Sequence, residues 1–351
     1  MSAIMESAAR SFPVTFGGNN YDLQKFLRDH PGGVNTLENY KGKSILSAMA
    51  KFGHSFSAYH MLNDLKVNGE VKDRNLSGEI SENGRIITKD EVNKNAEEIA
   101  YLEELESRLD WSKPILGQLH LIAPEYERWV NTSVYKPCRL FENPMLESLT
   151  YTRWYVVPAV WIPVILVMAW TQFFENVVGC AGTSCLPRLS VIQFMYHIAC
   201  GVLLWTLLEY TLHRWVFHLD PGTNIYKIKF HFLLHGIHHK VPFDGSRLVF
   251  PPIPAMVLAC VLYAPLSLVL TYGRLKLIGA LCGYLCYDMI HYYIHHGSPA
   301  DGSYLYSLKR YHSNHHFVNH DKAFGISNKF WDIIFRTFVK IRKLGFSLKW
   351  Y

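Results

Sequence analysis

Four apolar runs divide the second half of the chain. Trp154–Phe174 carries no charged residue in 21 positions and is flanked by Arg153 and Glu175. Leu189–Leu212 holds one carboxylate, Glu209, near its end. Leu248–Leu270 has none, although Pro251, Pro252, Pro254 and Pro265 predict kinks. Leu275–Tyr293 contains Lys276 and Asp288 near its ends. A bilayer core needs about 20 apolar residues per helix, so these runs predict a core of four transmembrane helices. The first half reads differently. Residues 12–72 alternate turn signals (Gly17-Gly18-Asn19-Asn20, Pro31-Gly32-Gly33, Gly42, Gly69) with short apolar patches, the pattern of a small soluble domain. Asp90–Asp110 sets apolar residues at helical spacing among glutamates and predicts one solvated helix. Pro114, Pro124, Pro137 and Pro144 break the stretch beyond it into short elements. Residues 73–150 therefore read as linker and membrane-surface helices, and residues 151–345 as an integral membrane domain.

Onto this pattern falls an uneven distribution of histidine. Thirteen of the 18 histidines lie between His213 and His320, twelve of them in four clusters at or just beyond the apolar runs. They are His213 with His218, then His231, His235, His238 and His239, then His291, His295 and His296, and finally His312, His315 and His316. Neutral imidazole is a common ligand for iron, copper and zinc. Spacings of three and four residues put side chains on one helix face. His213 and His218 are five apart, which predicts a helix end there. Ten or more imidazoles exceed what one ion holds, so two metals in one site is the natural reading. His120, His197 and His320 lack such a pattern and read as ordinary polar histidines, His320 as an exposed one.

Four spans place both chain ends and all four clusters on one face. Lys136, Arg139, Arg153, Lys227, Lys229, Lys240, Lys309 and Arg310 lie on that side, against Arg188, Arg274 and Lys276 on the other. The positive-inside rule then makes the cluster side cytosolic. Trp154 and Tyr155 suit an interfacial belt, with Trp170 and Trp205 as further candidates.

Composition narrows the rest. Aromatics are 14% and charged residues 18%, a balance of membrane proteins. The net charge of +6 forms no basic stripe, which argues against a nucleic-acid partner. The N-terminus has neither a basic n-region nor an apolar h-region, so no cleaved signal peptide is expected. Cys200, Cys260, Cys282 and Cys286 fall inside apolar runs, while Cys180 and Cys185 share a short loop that would allow a pair in an oxidising lumen. Asp244 and Asp288 are candidate partners for ligating imidazoles, with a snorkelling interfacial carboxylate the alternative for Asp288. Lys240 and Arg247 would either meet a substrate head group or simply mark the cytosolic face.

Tyr21 to Gly33, ending in His30-Pro31-Gly32-Gly33, resembles the haem-binding signature of cytochrome b5, and Phe52-Gly53-His54-Ser55 to Ala58 matches its second half. The resemblance implies haem b with His30 and His54 as axial ligands. His60 is a rival that the Gly-His-Ser-x-x-Ala context disfavours. A bis-histidine haem has no open position and transfers electrons, so the metals it serves must change redox state. Zinc does not, so iron is the leading choice, with O2 as oxidant.

The four clusters, with Pro242–Pro252, Gly283–Tyr293 and Gly325–Asp332, resemble the integral-membrane fatty acid hydroxylase superfamily, which also holds sterol desaturases and methyl oxidases. Nearly the whole chain is similar to its cytochrome b5-fused fatty acid 2-hydroxylases. The fold implied is mainly α: a four-helix transmembrane core under a cytosolic histidine-rich helical cap, plus a small N-terminal α+β cytochrome b5-like domain. The implied catalytic metal ligands are His213, His218, His235, His238, His239, His291, His295, His312, His315 and His316, holding two iron ions, or zinc in a purified sample. His231 and His296 are expected just outside that set. The resemblance further implies hydroxylation at C2 of a fatty acid or ceramide acyl chain, electrons from an NAD(P)H-dependent cytochrome reductase, contact with membrane lipids, and the endoplasmic reticulum membrane as location. A desaturase or sterol oxidase of the same superfamily is the nearest rival. A histidine-rich metal transporter is a second, although it needs polar residues along the spans.

Overall fold

The computed structural model describes residues 11–52, 54–67, 89–179 and 188–341. Gly17 and Gly18 both take positive φ, 54° and 78°. That left-handed pair makes the tight hairpin turn between β1 (Pro13–Phe16) and β2 (Asn19–Asp22), with Val14 opposite Tyr21. The edge strand β3 (Lys66–Val67) pairs with β2 and completes an antiparallel sheet of order β1-β2-β3. Between β2 and β3 the chain forms α1 (Val34–Glu38), α2 (Leu46–Phe52) and α3 (Phe56–Asp64). Val14, Tyr21, Leu23, Ile45, Met49 and Leu62 fill the space under the sheet. The expected α+β module is therefore present.

The expected helix is present too, as α4 (Lys89–Ser107), but its Leu102 and Leu105 are buried rather than solvated. The stretch from Ser107 to Thr150, expected as linker and membrane-surface helices, consists of short elements. Two 3-10 turns, α5 (Tyr126–Val130) and α6 (Pro144–Ser148) carry the chain. Ile115, Leu119, Ile122, Tyr126 and Trp129 are buried there and pack with Leu105 of α4 against Ile228, Phe232 and Ile237 of the histidine-rich segment. The prolines do keep these elements short. Shortness says nothing about burial, and tertiary contact decided that.

The membrane domain comprises α7 (Val156–Phe173), α8 (Val191–Thr211), α9 (Ile225–His231), α10 (Ile237–Lys240), α11 (Pro252–Val269), α12 (Gly273–His296), α13 (Tyr304–Phe317) and α14 (Phe330–Ile334). Three described helices are long and apolar enough to cross a membrane: Val156–Val178, Val191–Phe217 and Pro252–Val269, the first two counted with their π-helical ends. They expose Leu166, Val167, Ile192, Leu203, Val257 and Leu268, as a lipid-facing surface requires. At 24 residues α12 is about 36 Å long, but Asp288, His291 and His295 make its C-terminal half polar. It is the most enclosed of the four and runs along α8. Gly201 and Gly279 meet there backbone to backbone, and Gly283 lies under the Trp205 side chain. Gly279 and Gly283 form a small-xxx-small stripe that admits this approach.

Pro251, Pro252 and Pro254 stand at the start of α11, where a missing N–H costs nothing. They begin the helix and do not kink it. Trp154, Tyr155 and Trp170 are exposed, as belt residues would be. Trp205 instead packs on Tyr284 and Tyr287. The C-terminal segment is fastened to α8 by buried Glu209, which accepts from Ile326 N at 3.0 Å and Ser327 N at 2.7 Å. The Cys180–Cys185 pairing and the extreme N-terminus lie outside the described residues.

Candidate metal centre and haem site

The helix end expected between His213 and His218 exists, and its form explains the spacing of five. Past Thr211 the helix widens into a π-helical turn, Leu212–Phe217. His218 N there donates to His213 O, five residues back, at 3.1 Å. The wider turn brings i and i+5 onto one face. A second π-helical turn, Phe232–Gly236, joins α9 to α10 and rotates His235 into line with His239. Single π turns inside α-helices are common at functional sites.

The ten histidines gather as two sets of five. In one, His213, His218, His235, His239 and His315 bring their ligand nitrogens within 4.8 Å of one another. In the other, His238, His291, His295, His312 and His316 do the same. Nε2 faces Nε2 at 3.0 Å for His213 and His235, for His218 and His315, and for His238 and His291. Imidazole nitrogens bind such ions at ~2.0–2.1 Å, so nitrogens this close can share one ion, and the two sets would hold two metals. Outer contacts turn the rings inward: His213 Nδ1 donates to Phe324 O at 2.5 Å and His315 Nδ1 to Lys322 O at 2.7 Å. Burial, reinforced by the neighbouring imidazoles, holds His235, His238, His239, His312, His315 and His316 well below the ordinary histidine pKa. Neutral rings are the ligand form.

The surrounding residues depart from expectation in several places. His231 Nδ1 shares a hydrogen bond with the Tyr126 hydroxyl at 2.7 Å, outside both sets as expected. His320 is not exposed. It is half-buried, its ring 5.8 Å from that of His239. Asp288 is buried but accepts from Phe250 N at 3.2 Å, and Asp244 accepts from Ser246 N at 3.0 Å and its hydroxyl at 2.6 Å. Both carboxylates tie down the Pro242–Pro252 loop rather than a ligating ring. Lys240 neither meets a head group nor marks a face. Its ammonium is fully buried, paired with Glu106, and donates to Trp129 O at 2.9 Å and Thr132 O at 2.6 Å. Lys309 is buried as well, so two of the cations in the charge asymmetry are internal. Arg247 pairs with Glu147 and donates to Thr150 Oγ1 at 2.6 Å.

A cavity of about 310 Å³ reaches His235, His238 and His291. Its other walls are mainly apolar, among them Phe141, Leu149, Phe217, Leu234 and Val249. The part contributed by residues 140–150 comes from the stretch read as linker and membrane-surface helices, and no motif signalled it.

In the N-terminal module His30 and His54 face each other with ring centroids 6.2 Å apart and planes at 27°. His54 Nδ1 donates to Met49 O at 3.1 Å, and His30 Nδ1 lies 3.4 Å from Gly33 O. Among the described contacts, none engages Nε2 of either ring. Two nitrogen–metal bonds of about 2 Å plus the two ring radii fill that gap, so the pair fits a haem iron. Burial holds both rings down, His30 to about 4. His60 is turned away, with Nδ1 3.4 Å from Ser133 O.

A family model described as "Fatty acid hydroxylase" matches residues 198–337, and one described as "Cytochrome b5-like Heme/Steroid binding domain" matches residues 8–72. The "Fatty acid 2-hydroxylase" of Homo sapiens is 38% identical over 342 residues, covering 94% of this chain and 92% of its own. The chain belongs to the fatty acid hydroxylase family. The "Ceramide very long chain fatty acid hydroxylase SCS7" of Saccharomyces cerevisiae is 32% identical, over 91% of this hydroxylase and 88% of its own chain. A solved structure titled "Full length scs7p (only hydroxylase domain visible)" superposes with a TM-score of 0.56 at 31% identity, covering 66% of this hydroxylase and 86% of that chain. The resemblance read from the histidine and haem motifs thus holds. Haem and a pair of irons are the cofactors that these two donor sets fit. Family membership and the fused haem module set aside the metal transporter.

Proposed function

We propose that this hydroxylase inserts oxygen at C2 of long acyl chains, free or ceramide-bound, that enter 2-hydroxy sphingolipids. The observation that carries the reading is the opening of two five-histidine sets onto one apolar cavity at the end of the membrane helices. Relatives named as fatty acid 2-hydroxylase and ceramide fatty acid hydroxylase support it.

The ten histidines hold the two irons, and His30 with His54 hold the haem. Bound there, the irons supply O2 activation and the haem supplies electrons. The protein does the remainder. Phe141, Leu149, Phe217, Leu234 and Val249 sheath the acyl chain and exclude bulk water. Carbon 2 adjoins the head group, so a site beyond the span ends presents that carbon while the tail points into the bilayer.

In this reading α12 is the fourth span. Residues 12–72 form the haem module and residues 151–345 the hydroxylase unit, with residues 89–150 bracing the two. Both termini face the cytosol of the endoplasmic reticulum, where an NAD(P)H-dependent cytochrome reductase reaches the haem module. A C-terminal glycosylation tag that becomes modified would overturn this orientation.

Cells making the protein are fed deuterated palmitate and their hydrolysed sphingolipids are analysed by mass spectrometry. A hydroxyl at C2 with loss of C2 deuterium is expected. A new double bond, or a modified sterol, moves the protein to the desaturase or sterol oxidase branch.

A further inference from the structure

The residue before one haem-facing histidine touches the residue after one metal-facing histidine. Asp29 precedes His30, and His296 follows His295. His296 Nδ1 donates to Asp29 Oδ1 at 3.1 Å. Asp29 is buried, and its other oxygen lies 3.4 Å from the Tyr135 hydroxyl. Phe26 closes one side of this contact, edge-on to Phe243 with centroids 5.3 Å apart. On the other side the buried Lys309 ammonium donates to His295 O at 3.2 Å and Gly297 O at 3.1 Å. It therefore fixes the backbone on both flanks of His296. A cation at a helix C-terminus is well placed for this.

We propose that the Asp29–His296 contact is the bridge through which the haem module delivers electrons to the metal chamber. The path from His30 to His295 is covalent on both sides, with one hydrogen bond between. Each passage oxidises a ferrous haem to ferric and reduces one ferric ion to ferrous. No bond or proton moves, so rigid side chains suffice. His296 is a positioning residue here and not a metal ligand. A structure in which only the hydroxylase domain is visible does not contain this contact.

A second patch makes the bridge separable from docking as a whole. Lys136 pairs with Asp64 at 3.2 Å, Tyr135 N donates to Asp64 Oδ2 at 2.8 Å, and Ser57 meets Asn131 O at 3.4 Å. Loss of Asp29 leaves these intact.

The test uses the full-length protein in detergent, loaded with haem and iron. Under argon the haem is reduced with half a molar equivalent of dithionite, one electron per haem, and its reoxidation is followed by stopped-flow absorbance. Asp29→Ala and His296→Leu should each slow reoxidation by at least about tenfold, equivalent to ~1.4 kcal/mol. The double variant should be no slower than either single one, because both remove the same contact. Haem spectrum and iron content should match wild type. Wild-type reoxidation in the single variants overturns the bridge, as does additive slowing. Loss of haem or iron from either variant also overturns it, in favour of plain structural support. The proposal rests on the ligand assignment above. Wild-type protein lacking a bis-histidine spectrum or iron would sink that assignment, whereas loaded protein with fast variants sinks the bridge alone.

Discussion

Replacing Gly279 by alanine attacks the metal centre from 12 residues away, about 18 Å along α12. The added Cβ would sit 2.9 Å from Gly201 Cα and would be driven into the Ile198 carbonyl oxygen of α8. Carbon atoms rest at about 3.5–4.0 Å, so the two helices must part by more than ~0.6 Å. The carbonyl clash raises that to the order of 1 Å. Neither neighbour can yield, because both atoms are helix backbone. Helix α8 leads into His213 and His218 of one set, and α12 carries His291 and His295 of the other. Metal–ligand distances tolerate only about 0.2 Å. The chamber should therefore fail before the fold does, since overpacking costs ~1–3 kcal/mol. Purified Gly279→Ala should keep its haem spectrum, lose bound iron by elemental analysis, and yield roughly 10–100-fold less 2-hydroxy product. Gly201→Ala should behave alike, its Cβ meeting the Lys276 carbonyl. Gly117→Ala, with nothing within 4 Å of its Cβ, is the control. Wild-type iron and product in Gly279→Ala would refute the claim that this crossing sets the site.

The same geometry predicts three further outcomes. His54→Ala should abolish a low-spin bis-histidine haem spectrum, whereas His60→Ala, whose ring turns to Ser133 O, should retain it; the reverse result moves the ligand to His60. His238→Ala should remove iron and activity, whereas His320→Ala, outside both five-membered sets, should leave both near wild type; full activity in His238→Ala contradicts a dinuclear site. Lys240→Met leaves the Glu106 carboxylate buried without its partner and should cost ~3–5 kcal/mol. Adding Glu106→Gln should restore most of that in thermal unfolding, and a single variant with an unchanged midpoint would show that the pair does not hold α4 to the chamber.

The local signals in this chain were those with a fixed period. Apolar runs longer than a bilayer core announce their helices whatever packs around them. The His30-Pro31-Gly32-Gly33 and Gly53-His54-Ser55 motifs stand for a site made largely within one short segment. The histidine clusters were likewise legible, because imidazole is a common metal ligand and most of them recur at helical spacing, while the choice of ten came from the family resemblance. The cavity walls from residues 140–150, the burial of Leu105 to Trp129, and the inward turn of Lys240 left no such trace. Each depends on a partner far along the chain, as Lys240 does on Glu106.

The division of the histidines shows the same boundary most sharply. Sequence clusters and metal sets do not coincide. One set draws on the first, second and fourth clusters, and the other on the second, third and fourth. His238 and His239 are neighbours yet serve different sets, as do His315 and His316. Consecutive residues on a helix point about 100° apart, so a helix laid between two sites feeds both. The sequence determined that these imidazoles fall in short clusters and which of them share a helix face. Only the tertiary structure decided which site each face would meet, because that depends on how α8, α10, α12 and α13 are set against one another, and no local interaction encodes it.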